Sequence, residues 1–245
     1  MTRKQYFLSG LKDGMPICFG YFAVSFAFGI QAAGIGLSVF EASVLSALNV
    51  TSAGQFAALA IIASGASFIE LAFTQLIINL RYFLMSCALS QKLSPSLPLG
   101  HRLGIAYGMT DEIFAVSVSQ REPLSPFYSY GLIAVAIPGW VLGTALGAAA
   151  GNILPAVLTN ALGIAIYGMF IAIILPPAKE NRVVAGVVVL SMVLSALFTY
   201  LPVLCNISSG FRIIVITLIT AGGAALLFPI PDEPAEPEKE MPHEG

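Results

Sequence analysis

Between Leu45 and Leu89 the chain has the apolar make-up of membrane-crossing segments, yet polar groups stand inside it. The first interruption reads Asn49-Val50-Thr51-Ser52-Ala53-Gly54-Gln55. The second reads Asn79-Leu80-Arg81-Tyr82, deep in an apolar run that begins at Ser67. A charge at the centre of a spanning helix costs roughly 2.5–3.5 kcal/mol on insertion scales. Groups kept at that cost line a pathway or pair with one another, which points to transport rather than anchoring. The whole chain is of this kind: 57% hydrophobic and 10% charged over 245 residues, against about 25% charged in a soluble domain. The fold class is therefore an all-α integral membrane protein.

Apolar runs fall at about 14–34, 39–64, 67–90, 103–119, 127–150, 154–175, 182–201 and 209–228, and a spanning helix needs about 20 residues. Runs two and four are broken by polar residues that carry helix-start signals. Ser52-Ala53-Gly54-Gln55 fits a capping box opening a helix over Phe56–Ser64. Thr110 stands before Asp111 and Glu112, the pattern of a capped first turn. Charge supplies an independent test of topology. If every run crosses from a cytoplasmic N-terminus, Lys92 and Arg102 end outside. If runs two and four enter and return, Arg3, Lys4, Lys12, Lys92, Arg102, Arg121, Lys179 and Arg182 all lie inside. This favours a polytopic bundle of about six full spans plus two discontinuous or re-entrant segments. In this reading residues 1–13 are a cytoplasmic lead-in and 14–228 the transmembrane domain. Arg3, Lys4 and Lys12 resemble the start of a signal peptide, but Gly14–Gly34 is too long an apolar core for one.

The formal charge of −2 is dominated by the end of the chain. Asp232, Glu233, Glu236, Glu238, Glu240 and Glu244 cluster there among prolines, so 229–245 reads as a disordered acidic tail whose deletion should leave function intact. No basic patch interleaved with aromatics suggests nucleic acid. Cys18, Cys87 and Cys205 read as small buried apolar residues rather than a disulfide framework. Gly139, Gly143, Gly147 and Gly151 form a smooth ridge for close helix packing. Phe22-Ala23-Val24-Ser25 and Phe114-Ala115-Val116-Ser117 echo one another too weakly to define a repeat.

On the third run, Gln75, Asn79, Tyr82 and Ser86 share one helical face, while Glu70, Thr74 and Arg81 share another. Two polar faces place this helix inside a bundle. Glu70 and Arg81 stand about 16 Å apart along the axis, too far to pair. Glu70 suits the first turn of its helix, and Arg81 needs an anion, for which Asp111 or Glu112 is available. Such a pair is structural, or it opens and closes with substrate or proton. The breaks also suggest a seat for a zwitterion: free N–H groups beside Ser52 for a carboxylate, Asp111 or Glu112 for an ammonium, and Phe22, Phe26, Phe56 or Phe114 as walls. Ser52, Gly54, Gln55, Asn79, Tyr82, Asp111 and Glu112 are accordingly the candidate substrate residues, and Arg81, Asp111 and Glu112 the candidate ion pair.

Enzymatic signatures are missing. There is no phosphate-binding G-x-x-x-x-G-K-[ST], no G-x-S-x-G elbow and no H-E-x-x-H. His101 and His243 have no metal-ligand company. The expectation is a protein that is not an enzyme and has no cofactor or metal. The sequons at Asn49 and Asn206 are discounted, the first because it lies in a membrane segment.

Gly10-Leu11-Lys12-Asp13-Gly14-Met15-Pro16, Phe26-Ala27-Phe28-Gly29, Ser52-Ala53-Gly54-Gln55-Phe56, Asn79-Leu80-Arg81-Tyr82 and Thr110-Asp111-Glu112-Ile113-Phe114 follow one another in the order found in the AzlC family. The chain resembles that family over about residues 8–120, and later mainly in hydropathy. AzlC proteins are large subunits of bacterial branched-chain amino acid exporters of the azaleucine-resistance type. The resemblance implies export of leucine, isoleucine, valine or similar residues across the inner membrane, driven by the proton-motive force. It also implies a separately encoded small hydrophobic subunit of the AzlD type. The competing readings are a non-transporting membrane subunit that supports a partner, and a channel.

Overall fold

The computed structural model describes residues 2–120, 123–151, 171, 174–201, 204 and 206–229. The acidic tail, most of the sixth apolar run, Arg121 and Cys205 lie outside the described residues. Every described element is helical. In chain order these are α1 (Arg3–Gly34), α2 (Val39–Leu48), α3 (Ser52–Ala63), α4 (Phe68–Gln91), α5 (Leu99–Tyr107), α6 (Asp111–Val118), α7 (Pro126–Gly151), α8 (Arg182–Tyr200) and α9 (Ser209–Thr217). A π-helical turn, Leu218–Gly222, prolongs α9 into a last helical turn, Gly223–Leu227. Among described residues α1, α4, α7, α8 and the prolonged α9 are long and apolar enough to cross a membrane, whereas α2 and α3 are not.

The helix α1 starts at Arg3, not Gly14, because Thr2 and Gln5 close a capping box around its first turn. The expected lead-in is thus largely the opening of α1.

Glycines weld α1 to α7. A Cβ on Gly139 would meet Cys18, on Gly143 Phe22 and Ser25, on Gly147 the Phe26 backbone, and on Gly151 Ile30. From the other side, Gly10 lies on Tyr128 and Gly29 on Thr144 and Ala148. Both sets rise together in number, so the helices run parallel, and small residues let their backbones approach closely without an apolar driving force from lipid. The glycine ridge is intramolecular.

Runs two and four fold as hairpins that turn near the middle of α1. From the end of α1, α2 descends to Asn49–Thr51, and α3 returns: the Phe56 ring packs edge-on against Phe28, and Leu59 joins Ala32, Ala42 and Ala148. The opposite hairpin, α5–α6, starts where the His101 imidazole meets Tyr130, reaches Tyr21 at Thr110, and returns to put the Val118 carbonyl on the Lys92 ammonium. Between them, α4 runs antiparallel to α1: its end lies against the start of α7, where Leu124 N–H donates to the Lys92 carbonyl. Arg3 over Phe127, Lys92 and Arg102 therefore share the side where α1 begins, as the positive-inside rule requires of a cytoplasmic face. The two connections on the other side, α1–α2 and α3–α4, close through Gly36 and Gly65, both at positive φ, which glycine adopts without a Cβ penalty.

The polar faces of α4 point inward, but Ile69, Phe73, Leu76, Leu80, Phe83 and Leu84 form an exposed apolar stripe. α4 is thus an edge helix of the described bundle rather than an enclosed one, since two polar faces still leave a third, apolar side. Cys18 is half-buried, but Cys87 is exposed on that outer side, contrary to the expectation of a buried residue. Phe22–Ser25 lies mid-way in continuous α1 and Phe114–Ser117 in half-helix α6, so their likeness marks no shared unit.

Candidate functional site

The two breaks meet. At the end of α5, Tyr107 donates its hydroxyl to the Ala47 carbonyl in the last turn of α2 (2.6 Å). Such end carbonyls have no partner within their own helix, and in an apolar surrounding each must find another. Gln55 does this for the rest of the break. Fully buried, it donates through Nε2 to the Asn49 carbonyl (2.7 Å), the Ser46 hydroxyl (3.1 Å) and the Leu45 carbonyl (3.3 Å). Its Oε1 accepts the indole N–H of Trp140 (3.1 Å).

Gln55 therefore does not close a capping box on Ser52. Thr51 is the cap, its hydroxyl accepting from Gly54 N–H, one residue earlier than the sequence pattern suggests. The shift puts Gln55 one position too late to fold back on the cap. The second break follows the expected register: Thr110 accepts from Ile113 N–H, with Asp111 and Glu112 in the first turn.

Both half-helix N-termini, α3 and α6, open onto one cavity of about 220 Å³. That is below the ~300–1,000 Å³ of sites for drug-sized ligands, the scale of one small solute. Ser52, Arg81, Tyr82, Asp111 and Glu112 line it, as expected of candidate residues. Gly54, Gln55 and Asn79 do not. The carbonyl of Gly54 accepts from Gln75 Nε2 (2.8 Å), and a Cβ on Gly54 would strike Gln75 and Thr51, so it sets the α3–α4 spacing. Asn79 donates to Gln75 Oε1 (3.1 Å), behind the cavity. The expected phenylalanine walls are elsewhere: Phe22 stacks on Phe26, Phe56 packs on Phe28, and Phe114 joins the core beside α7. Instead Val24, Val50, Ala53, Trp140 and Ile174 supply the apolar surface. Phenylalanine among mainly apolar neighbours gives no sign of which way it faces.

Arg81 pairs with Asp111 at 2.9 Å. The guanidinium also donates to the Tyr82 hydroxyl (2.8 Å) and lies over the Tyr82 ring (4.7 Å). With 42% and 46% of their side chains exposed, the two charges are open to a solute. Glu112 instead accepts from the Tyr21 hydroxyl (2.6 Å), which also reaches Thr110 (2.5 Å), while the Tyr21 ring packs edge-on against Trp140. Sequence reading missed Tyr21 and Trp140. Their only signal was a hydrogen-bonding aromatic within a long uncharged stretch of each helix.

The site is dipolar. Among described residues nothing engages the Ser52 and Ala53 N–H groups at the start of α3, so the positive end of that helix faces the cavity bare. The start of α6 carries two acids of its own in its first turn. No described group of three or more His, Cys, Asp or Glu residues could hold a metal ion.

The chain matches the AzlC protein family over residues 16–154. A membrane protein of Archaeoglobus fulgidus described as uncharacterized is 35% identical over 189 residues, 76% of this chain and 83% of the relative. Inner membrane protein YgaZ of Escherichia coli K12 is 31% identical over 184 residues, 72% of this chain and 75% of the relative. No solved structure matches. The matched stretch runs from within α1 through α7 and so holds both breaks and every lining residue of the cavity but Ile174: the chain is a multi-pass membrane protein and belongs to the AzlC family.

Proposed function

We propose that the protein is a secondary transporter, not an enzyme, that exports branched-chain or similar apolar amino acids across the cell membrane of a bacterium. It needs no cofactor, is driven by protons, and works with a small hydrophobic subunit of the AzlD type. The observation that carries this reading is the dipolar cavity, with Arg81 and the open α3 N-terminus against Asp111 and apolar surface between.

A zwitterion replaces the ion pair charge for charge. Its carboxylate takes the Arg81 guanidinium and the Ser52 and Ala53 N–H groups; its ammonium takes Asp111. An aliphatic side chain then lies against Val24, Val50 and Ile174. Loading therefore leaves the net charge of the cavity unchanged, which matters because an unpaired charge among apolar helices is costly. A lone cation or anion would leave one partner unmatched, so the site selects for solutes carrying both charges. Closed around a substrate or closed on itself, Arg81–Asp111 can pass through the same rearrangement, the requirement for alternating access at a central site.

The test is amino acid efflux from cells without their own exporters, loaded with leucine- or valine-containing dipeptides. The chain is expressed alone and with its small partner. Saturable efflux that needs both proteins and collapses with the proton gradient is the expected result. No efflux of any aliphatic amino acid, with both proteins present in the membrane, would overturn it in favour of a supporting subunit.

A further inference from the structure

The cavity has two unlike sides. On one stand Arg81 and Asp111, with 42% and 46% of their side chains exposed. On the other stand Trp140 and Tyr21, 3% and 7% exposed, their rings edge to face with centroids 5.3 Å apart. The charged side is the open one and the aromatic side the closed one.

The polar groups of the aromatic pair are already engaged. The Trp140 indole N–H goes to Gln55 Oε1 (3.1 Å). The Tyr21 hydroxyl donates to Glu112 (2.6 Å), and the Thr110 hydroxyl lies 2.5 Å from it. A hydroxyl carries one proton, so with that proton on Glu112 the Thr110 hydroxyl is the donor to Tyr21. What the pair leaves to a solute is ring carbon.

Trp140 is also fixed in place. Gly139 beside it packs on Cys18, and Gly143 one turn along packs on Phe22 and Ser25, so closely that a Cβ at either position would clash. The α7 backbone is thus seated directly on α1 around the tryptophan. The indole cannot swing away without orphaning its own buried N–H and the Oε1 of the fully buried Gln55. A wall held at backbone and side chain does not yield to a longer solute.

We infer that Trp140 sets the size limit of the substrate: an amino acid held through its charges at Arg81 and Asp111 ends its side chain against the indole. This deepens the exporter reading and rests on it. The cavity takes leucine, isoleucine and valine, and refuses phenylalanine for want of room. Side chains that stop short of the wall bind more weakly, by roughly 10-fold or more per methylene. Valine is preferred to its isostere threonine by about 10²-fold, because the aromatic pair has no free group to meet a hydroxyl.

Binding to the full chain with its small partner in lipid nanodiscs tests this. Trp140 is the single tryptophan of the chain, so its emission reports the contact. Leucine, isoleucine and valine should shift that emission, alanine should shift it less, and the shift should be absent from Trp140→Phe. By calorimetry wild type should bind leucine at least roughly 10-fold more tightly than phenylalanine, and Trp140→Ala should bring phenylalanine level with leucine. A merely structural tryptophan would cost ligands when replaced and gain none, so the gain of phenylalanine separates the two roles. Trp140→Leu removes less of the side chain and should show the same gain where Trp140→Ala does not fold. Three results would each overturn the size limit alone: leucine bound with Trp140 emission unmoved, phenylalanine bound by wild type as tightly as leucine, or a folded Trp140→Ala or Trp140→Leu that gains nothing. No amino acid bound by wild type would overturn the exporter reading and the size limit with it.

Discussion

The two broken hairpins solve one problem in opposite ways. Each interrupts a helix among apolar neighbours and must settle the backbone groups it frees. At Asn49–Thr51 the settlement is neutral: amides and hydroxyls, with Gln55 answering three acceptors and Trp140. The helix start that follows carries no charge of its own and stays open. At Gly108–Thr110 the settlement is ionic: Asp111 and Glu112 stand in the first turn of α6 and are answered by Arg81 and Tyr21. A neutral break is a fixed wall, because Gln55 cannot leave without orphaning several groups. An ionic break is exchangeable, because another pair of charges can stand in for its partner. One cavity thus has a rigid half that presents dipoles and a replaceable half that presents charge.

The largest expected effect comes from disturbing the ionic half. Arg81→Ala leaves Asp111 without its cation and should abolish efflux. It should destabilise the protein by on the order of 1–3 kcal/mol, between the values for exposed and fully buried pairs. Unfolding in detergent, followed by emission from the single tryptophan, Trp140, measures the second quantity. The exchanged pair, Arg81→Asp with Asp111→Arg, sharpens the comparison. It restores the attraction and should recover stability. It also places an anion on α4, beside the open start of α3, where the substrate carboxylate would bind, so efflux should stay lost. Efflux returning with the exchange would mean that the α3 N-terminus does not orient the substrate.

The neutral half should fail differently. Gln55→Leu keeps the volume but unpairs the Asn49 carbonyl and the Trp140 indole, at about 1–3 kcal/mol for a buried group left unmet. Lower thermal stability with a changed Trp140 emission is expected, and residual efflux per folded molecule should exceed that of Arg81→Ala. Equal loss of efflux at normal stability would erase the distinction between wall and gate.

How much of this could be read beforehand depended on whether a residue's chemistry was out of place. Arg81, Asp111 and Glu112 declared themselves because charge inside an apolar run has few excuses, and charge symmetry across the loops pointed to hairpins. The glycine ridge announced close packing through its spacing of four, but not that α1 was the partner, since tertiary pairing leaves no mark on one helix. Tyr21 was illegible for a related reason: α1 carries no charge between Met15 and Gly34, so periodicity there cannot say which hydroxyl faces a cavity. The same blindness misplaced the phenylalanine walls and Cys87, because a side facing lipid and a side facing core have the same hydropathy. Glu70 was recognised as a first-turn acid, but its role as the cap of α9, whose Gly210 N–H it accepts from far away in sequence, depends on a contact no local pattern encodes.

The smallest effect tests the one-residue correction at the first break. Thr51 and Ser52 are both good capping residues, and the sequence pattern chose the second. In the structure the Thr51 hydroxyl accepts from Gly54 N–H, whereas Ser52 is the first residue of the helix and turns toward the cavity. Thr51→Val keeps shape and removes the cap, so it should cost about 1 kcal/mol and lower the melting temperature. Ser52→Ala leaves the backbone N–H groups in place and should leave stability nearly unchanged. Its effect on leucine affinity should be slight, because the carboxylate is proposed to meet Ser52 through its N–H and not its hydroxyl. The reverse ranking, with Ser52→Ala the more destabilising, would move the start of α3 one residue along. That would withdraw the open N–H groups from the cavity, and Arg81 alone would be left to hold the carboxylate.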